Sequence, residues 1–111
     1  MRVISQDGTM DVPYEISSFS MAVGKYENVE HAVIFCYNYS TSMGTKMAEY
    51  GSKEKAKKAM KMLRITYENN EFYHHTANSE HFTEFTKALS EEMFKKATSE
   101  YFQFPTEEEL E

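Results

Sequence analysis

The 111-residue sequence contains no tryptophan, one cysteine, two prolines and four isolated glycines. A lone cysteine excludes an internal disulfide, and the apolar and aromatic neighbours of Cys36 favour a buried side chain over a nucleophile. Isolated glycines exclude a glycine-rich phosphate loop. No apolar run reaches the roughly 18 to 20 residues of a membrane span, and the N-terminus lacks the pattern of a signal peptide. These absences predict a cytoplasmic protein in a reducing compartment.

The composition is that of one folded domain. The apolar fraction of 41% and the charged fraction of 27% are typical of globular proteins and not of disordered chains. The length predicts a single domain over residues 1–111, with an acidic C-terminal tail at 106–111. Eight Phe, eight Tyr and eight Met are more than a small core can bury, and such residues are common at contact surfaces. We therefore expect a homo-oligomer, from a dimer up to a hexamer.

The net charge of −6 is unevenly distributed along the chain. Residues 52–64 contain six basic residues and one glutamate, whereas residues 65–111 contain eleven glutamates and three lysines. Because affinity for duplex nucleic acid comes mostly from phosphate neutralisation, an acidic protein is a poor partner for it. Two alternatives stay open: the basic segment binds a small anion, or the acidic segment imitates nucleic acid in a direct contact with another protein.

Short apolar and β-branched segments predict a sheet in the first half of the chain. An Asp7-Gly8 pair predicts the first turn, a second turn is expected at Thr41–Gly44, and Pro13 places its strand at a sheet edge. The predicted fold class is α+β, with a small antiparallel sheet of about five N-terminal strands plus a short C-terminal strand, and two helices. The predicted strands are Met1–Ser5, Met10–Ile16, Ser18–Val23, His31–Tyr39, Thr45–Tyr50 and Tyr101–Pro105.

Helical periodicity dominates the second half. Ser52 is a suitable N-cap for a first helix that is predicted to end at Asn69-Asn70. Residues Glu71–Asn78 are predicted to form a loop, and Ser79 to cap a second helix. The glutamates after Pro105 predict a solvated, frayed tail. One apolar stripe marks each helix: Ala56, Ala59, Met60, Leu63 and Tyr67 on the first, and Phe82, Phe85, Leu89, Met93 and Ala97 on the second.

The sequence offers little catalytic chemistry. It has no Gly-x-Ser-x-Gly motif and no cysteine pair for a structural zinc site. His74, His75 and His81 are close in sequence but match no standard metal-ligand spacing, so no metal or other cofactor is predicted. The neighbouring carboxylates Glu91 and Glu92 do not share a helix face and are typical surface residues. The sequence therefore predicts a binding protein and not an enzyme.

The lysine-rich helix and the segment after it supply the candidate ligand-binding residues. Lys57, Lys61 and Arg64 are three or four residues apart, and the planar guanidinium of Arg64 suits bidentate contact with phosphate. Aromatic rings just downstream can stack on a purine while the cations hold its phosphate. A lysine-rich helix face is also common as plain solvated surface, and that interpretation stays open. The candidates are Arg64, Lys61, Lys57, Phe72, Tyr73, His75 and Asn78.

Three stretches of the chain resemble a phage protein family. They are the opening Met1–Gly8, the helix Lys53–Arg64 and the closing Tyr101–Pro105. Together they resemble small proteins of Firmicutes phages and prophages, and among these the first-described family of phage Thoeris anti-defence proteins. The resemblance implies a small antiparallel sheet with two helices. It also implies a homo-oligomer in the cytoplasm of the infected bacterial host that binds cyclic ADP-ribose signals of an immune TIR enzyme without cleaving them. Some relatives would also bind cyclic oligonucleotides at separate sites.

Overall fold

The described part of the chain folds into six strands and one long helix. In the computed structural model the described residues are 1–38, 41–76 and 101–110, with side chains described for all of these except 41, 42 and 73–76. The α+β class is confirmed. Within the described ranges no helix is long and apolar enough to cross a membrane. The elements are β1 (Arg2–Ile4), β2 (Asp11–Pro13), β3 (Ser18–Tyr26), β4 (Val29–Asn38), β5 (Thr41–Tyr50), α1 (Lys53–Thr76) and β6 (Tyr101–Gln103), with 3-10 turns at Tyr14–Ile16 and Glu108–Leu110.

The long sheet is antiparallel, in the order β3-β4-β5. Glu27 and Asn28 connect β3 to β4, and both have positive φ angles (51° and 65°), as a two-residue hairpin turn of matching twist requires. The predicted turn at Thr41–Gly44 is wrong, since these residues belong to β5. Gly44 instead lies at an irregularity in the β4–β5 pairing with a φ of 76°, and a Cβ atom there would lie 2.7 Å from the ring of Tyr37.

The short sheet has the order β2-β1-β6. Strand β2 pairs antiparallel with β1, and β6 pairs parallel with it, so that Val3 lies opposite both Val12 and Phe102. The expectation of one antiparallel sheet is therefore wrong: the strands form two sheets, and one pairing is parallel. Parallel pairing needs a long connection between the strands, and β6 follows β1 by nearly the whole chain. Pro13 does lie on an edge strand, and it ends β2 before the 3-10 turn.

The core forms where α1 packs on one face of the long sheet. Ala32, Ile34 and Cys36 of β4 point toward the helix and are fully buried. On α1, the predicted stripe is confirmed, with Ala56, Ala59 and Leu63 buried, and Met60 packed against the core. Cys36 is thus a buried core residue, as predicted. Alanines on both surfaces allow the helix to approach the sheet closely.

The two ends of α1 differ in how well the sequence predicted them. The hydroxyl of Ser52 accepts the backbone N–H of Lys55 at 3.2 Å, so the predicted N-cap is confirmed. The predicted end at Asn69-Asn70 is wrong, because the helix continues to Thr76 and Asn70 is buried within it. Residues 71–76 are therefore helical and not the predicted loop. Asn78 and the predicted second helix lie outside the described residues.

The C-terminal segment packs over the start of α1. The buried Tyr50 hydroxyl donates to the carbonyl of Pro105 at 2.8 Å. The carboxylate of Glu107 accepts the Gly51 N–H at 2.9 Å and lies 3.3 Å from the Lys55 ammonium. Leu110 is 5% exposed. The prediction of a frayed tail is therefore wrong as far as Leu110, because this segment supplies an apolar anchor and an anion at the positive end of the helix.

Leu110→Ala is expected to lower the free energy of unfolding by about 2–3 kcal/mol, as removal of a buried leucine side chain generally does. Urea unfolding followed by circular dichroism measures the change. Glu108→Ala is the matched control, since Glu108 is an exposed residue of the same 3-10 turn and should change stability by less than about 0.5 kcal/mol. Equal effects of the two substitutions would contradict a packed tail.

A second prediction concerns Asp7, which organises the confirmed turn between β1 and β2. Hydrogen bonds from the Thr9 hydroxyl, the Ser5 hydroxyl and the Thr9 N–H lower the pKa of Asp7 to about 2. A pKa below that of the unfolded chain means that the carboxylate stabilises the fold above about pH 4 and that this contribution is lost as the pH falls toward 2. The difference in urea midpoint between wild type and Asp7→Asn should therefore shrink over this range. A constant difference would contradict the assignment.

Candidate functional site

A cleft lies between the 3-10 turn Tyr14–Ile16, the start of β3 and the middle of α1. Its volume is about 370 Å³. Because Pro13 ends β2, the chain turns toward the helix and brings Tyr14 and Glu15 against it. The lining combines aromatic, apolar and polar side chains: Tyr14, Phe19, Tyr67, Met60, Leu63, Glu15, Ser17 and Arg64.

Stacked aromatic rings form one wall of the cleft. The ring centroids of Tyr14 and Tyr67 are 4.0 Å apart at an interplanar angle of 25°, and the Phe19 ring also stacks on Tyr14, with its centroid 6.0 Å away. Burial, and then the nearby Glu71 carboxylate, raise the pKa of Tyr67, so its phenol stays neutral at physiological pH. At 4.0 Å nothing can enter between the two tyrosines. A planar ligand must therefore stack on an outer ring face.

Arg64 supplies the positive charge of the cleft. Its side chain is exposed, and within the part of the chain that the structure describes no hydrogen bond or ion pair engages its guanidinium. The cleft also contains one carboxylate, Glu15, but this group is already bound to the amino group of Met1, whose hydrogen bond lowers the pKa of Glu15. Glu15 is thus neutralised internally, whereas no ion pair among the described residues neutralises Arg64. An anion is the ligand that completes such a site.

The lysines predicted alongside Arg64 lie on the same face of α1. At about 100° per residue, Lys57, Lys61 and Arg64 fall within roughly 60° of helix circumference. All three are exposed. Arg64 is the one of the three that lines the cleft, because it follows Met60 by one turn and precedes Tyr67 by nearly another. The lysines form a basic strip that leads away from it along the helix.

The remaining predicted residues are not brought to the cleft. Phe72 is half exposed on α1, and about 12 Å of helix rise separates it from Arg64. Tyr73 and His75 are on the last turn of α1, with side chains outside the description, and Asn78 lies beyond the described residues. His74 is also on the last turn of α1, with its side chain outside the description, and His81 lies beyond the described residues. Among the described residues no group of three or more His, Cys, Asp or Glu side chains converges.

Sequence reasoning missed the aromatic wall. The sequence pattern predicts an edge strand for Tyr14 and another strand for Phe19. It predicts that Tyr67 belongs to the apolar stripe of the first helix. Tyr14 and Phe19 are five residues apart in sequence, but Tyr67 is about 50 residues from both. The signal that could have found them is Pro13, which cannot continue a ladder and so turns the following tyrosine out of the sheet.

Arg64→Ala is expected to change the free energy of unfolding by less than about 0.5 kcal/mol, because an exposed cation without a partner contributes little to folding. Tyr14→Ala removes a ring stacked on two others and should cost about 2–3 kcal/mol. Urea unfolding of both variants checks the pair. A large loss in Arg64→Ala would show that the guanidinium has a structural partner and would count against a ligand-binding role.

No family model matches this chain, and neither a curated protein nor a solved structure is found to be similar to it.

Proposed function

We propose that this protein binds a small, planar, phosphorylated molecule of nucleotide type in the Arg64 cleft and sequesters it without chemical conversion. The observation that carries the proposal is the position of Arg64, a cation that forms no ion pair with the described residues and that lines the same cleft as the stacked Tyr14 and Tyr67. Ring faces bind a base by stacking, and a guanidinium binds phosphate through paired hydrogen bonds. The hydroxyl of Ser17 lies in the same cleft, where it donates to the carbonyl of Pro13 at 2.6 Å and keeps only its acceptor capacity for a ligand.

The size of the cleft limits what it can enclose. Its volume of about 370 Å³ is near the lower end of ligand pockets, which span roughly 300–1,000 Å³. A base with one phosphate would occupy it. A larger cyclic nucleotide would extend over the basic strip, where Lys61 is one turn from Arg64 and Lys57 one turn further. The three sequence-predicted cations would then act in order along one ligand.

The resemblance to the phage Thoeris anti-defence family supplies the specific ligand of the proposal. Cyclic ADP-ribose isomers are the first probes, and cyclic oligonucleotides the second. A protein that sequesters such a signal in the cytoplasm of an infected bacterium needs affinity for the ground state and no stabilisation of a transition state.

The proposal is tested by thermal shift and calorimetry with cyclic ADP-ribose isomers. Binding to the folded state stabilises it by RT ln(1 + L/Kd), where L is the ligand concentration, so the melting temperature rises with the logarithm of L once L exceeds Kd. We expect Arg64→Ala to weaken binding by about 10- to 100-fold, the usual cost of losing a charged hydrogen-bond partner. Arg64→Lys keeps the charge but not the planar fork and should lie between the two. Mass spectrometry of ligand released by heat should recover it intact.

Lys53→Ala is the matched control. Lys53 is an exposed cation of the same helix, about 16 Å of helix rise from Arg64, so its removal should leave affinity unchanged. Hydrolysed ligand would replace sequestration with catalysis. Absence of any shift with both classes of cyclic nucleotide, or equal affinity of wild type and Arg64→Ala, would contradict the proposal.

A further inference from the structure

The two walls of the Arg64 cleft offer a ligand different kinds of hydrogen bond. Helix α1 supplies the guanidinium of Arg64, which is a donor only. The opposite wall is the 3-10 turn with the residue after it, and it supplies Glu15 and Ser17. The Ser17 hydroxyl already donates to Pro13, so it can only accept. A ligand that fits both walls therefore carries an anion on one side and hydrogen-bond donors on the other.

The carboxylate of Glu15 has acceptor positions that the described contacts do not use. A carboxylate accepts about four hydrogen bonds, and Oε1 of Glu15 accepts one from the amino group of Met1. The backbone N–H of Glu15 is a further donor to it. Because the side chain is 46% exposed, its remaining positions are open to a ligand.

Charge decides which donors suit Glu15. The amino group of Met1, above all, lowers the pKa of Glu15, so at neutral pH this group is a carboxylate with no proton to donate. Its charge is already balanced by that amino group, so an added cation would gain less than it would beside an unpaired carboxylate. A neutral hydroxyl needs only the lone pairs. Glu15 is thus suited to an uncharged group that carries hydroxyls.

Glu15 and Arg64 leave room for a ligand between them. They have opposite charge and line one cleft, yet among the ion pairs of the described residues none joins them. Glu15 follows Tyr14 in the chain, so its carboxylate belongs to the same turn as the ring that stacks on Tyr67. The acceptor is therefore beside the aromatic wall, and the cation lies across the cleft on α1.

We propose that Glu15 binds the ribose hydroxyls of the nucleotide, so that the Arg64 cleft selects ribonucleotides over deoxyribonucleotides. This inference rests on the proposed function and adds a third contact to it: Arg64 holds the phosphate, the ring wall holds the base, and Glu15 holds the sugar that connects them. The 2′ and 3′ hydroxyls of ribose are neutral, adjacent donors. Acidic residues bind ribose hydroxyls in the same way in dinucleotide-binding folds.

The same carboxylate determines which related ligands bind poorly. A sugar without the two hydroxyls gives Glu15 no donor, so the exchange of water for ligand at this group is unfavourable. A 2′-phosphate brings a second anion against Glu15, and like charges at contact distance repel. An additional phosphate on the ribose should therefore weaken binding, although the lysines of α1 would attract it.

Titration of the full chain with matched adenosine nucleotides, followed by calorimetry or NMR, tests the inference. The probes are adenosine 5′-monophosphate, its 2′,3′-dideoxy analogue and its 2′-phosphorylated analogue, which share the base and the 5′-phosphate. The wild type should bind the dideoxy analogue at least about tenfold more weakly than the monophosphate, the usual effect of losing a hydrogen bond to a charged group. The 2′-phosphorylated analogue should also bind more weakly than the monophosphate.

Variants of Glu15 assign this preference to the carboxylate. Glu15→Ala should bind the monophosphate and its dideoxy analogue equally, and Glu15→Gln, which keeps a neutral acceptor, should show an intermediate preference. The ratio of the two affinities is the readout, because removing a charge at the cleft changes the affinity for every anion. Glu54→Ala is the matched control and should leave the ratio unchanged, since Glu54 is exposed in the first turn of α1, about 15 Å of helix rise from Arg64.

Three results would each overturn this inference. They are equal affinity of the wild type for the monophosphate and its dideoxy analogue, an undiminished preference in a folded Glu15→Ala, and no binding of the monophosphate at roughly millimolar concentration. The first needs no variant and so does not depend on the folding of Glu15→Ala. If Arg64→Ala still weakens the binding of cyclic ADP-ribose isomers in any of these cases, the proposed function stands and only the role of Glu15 is wrong.

Discussion

The close contact between α1 and β4 is the constraint on which the other features depend. Ala56 and Ala59 on the helix and Ala32 on the strand are all fully buried, and side chains this small let the two backbones approach closely. This contact fixes the rotation of α1 about its axis. The rotation in turn directs Tyr67 toward Tyr14 and leaves Lys57, Lys61 and Arg64 outside the core. The same helix covers one face of the long sheet.

Prediction from sequence succeeded where the cause was local. The strands, the Asp7-Gly8 turn, the Ser52 cap and the apolar stripe of α1 each depend on residues within a few positions of one another. It failed where distant contacts decide. Asn69-Asn70 has low helix propensity, a weak preference that the packing of Tyr67 on Tyr14 and the burial of Asn70 override. The acidic tail is ordered by Tyr50, Gly51 and Lys55, which no local pattern connects to it.

In the candidate site, too, the residue with a local sequence signal is predicted and the residues brought in by distant contacts are not. Arg64 could be selected from its spacing and chemistry alone, because both are properties of a single helix. Its aromatic partners could not, since Tyr14 and Phe19 are some 45 to 50 residues away and reach α1 only through the turn after Pro13. The sequence instead favours Phe72 and Tyr73, which follow Arg64 by eight and nine residues. A continuous helix carries residue 72 about 12 Å beyond Arg64, so proximity in sequence did not become proximity in space.

Electrostatics explains how an acidic protein can offer a site for an anion. Most long-range repulsion between a phosphate and the chain's net charge is screened beyond about 8–10 Å at physiological salt, so the groups within that distance decide. At the cleft these are Glu15, which is bound to the amino group of Met1, Glu71, whose carboxylate lies beside the Tyr67 hydroxyl, and Arg64, which has no partner among the described side chains. Farther along the helix, Glu107 is likewise engaged by Gly51 and Lys55. Residues 53–64 of α1 carry six basic side chains and one glutamate, so the local field of this half of the helix is positive, and a phosphate bound along it would experience that field.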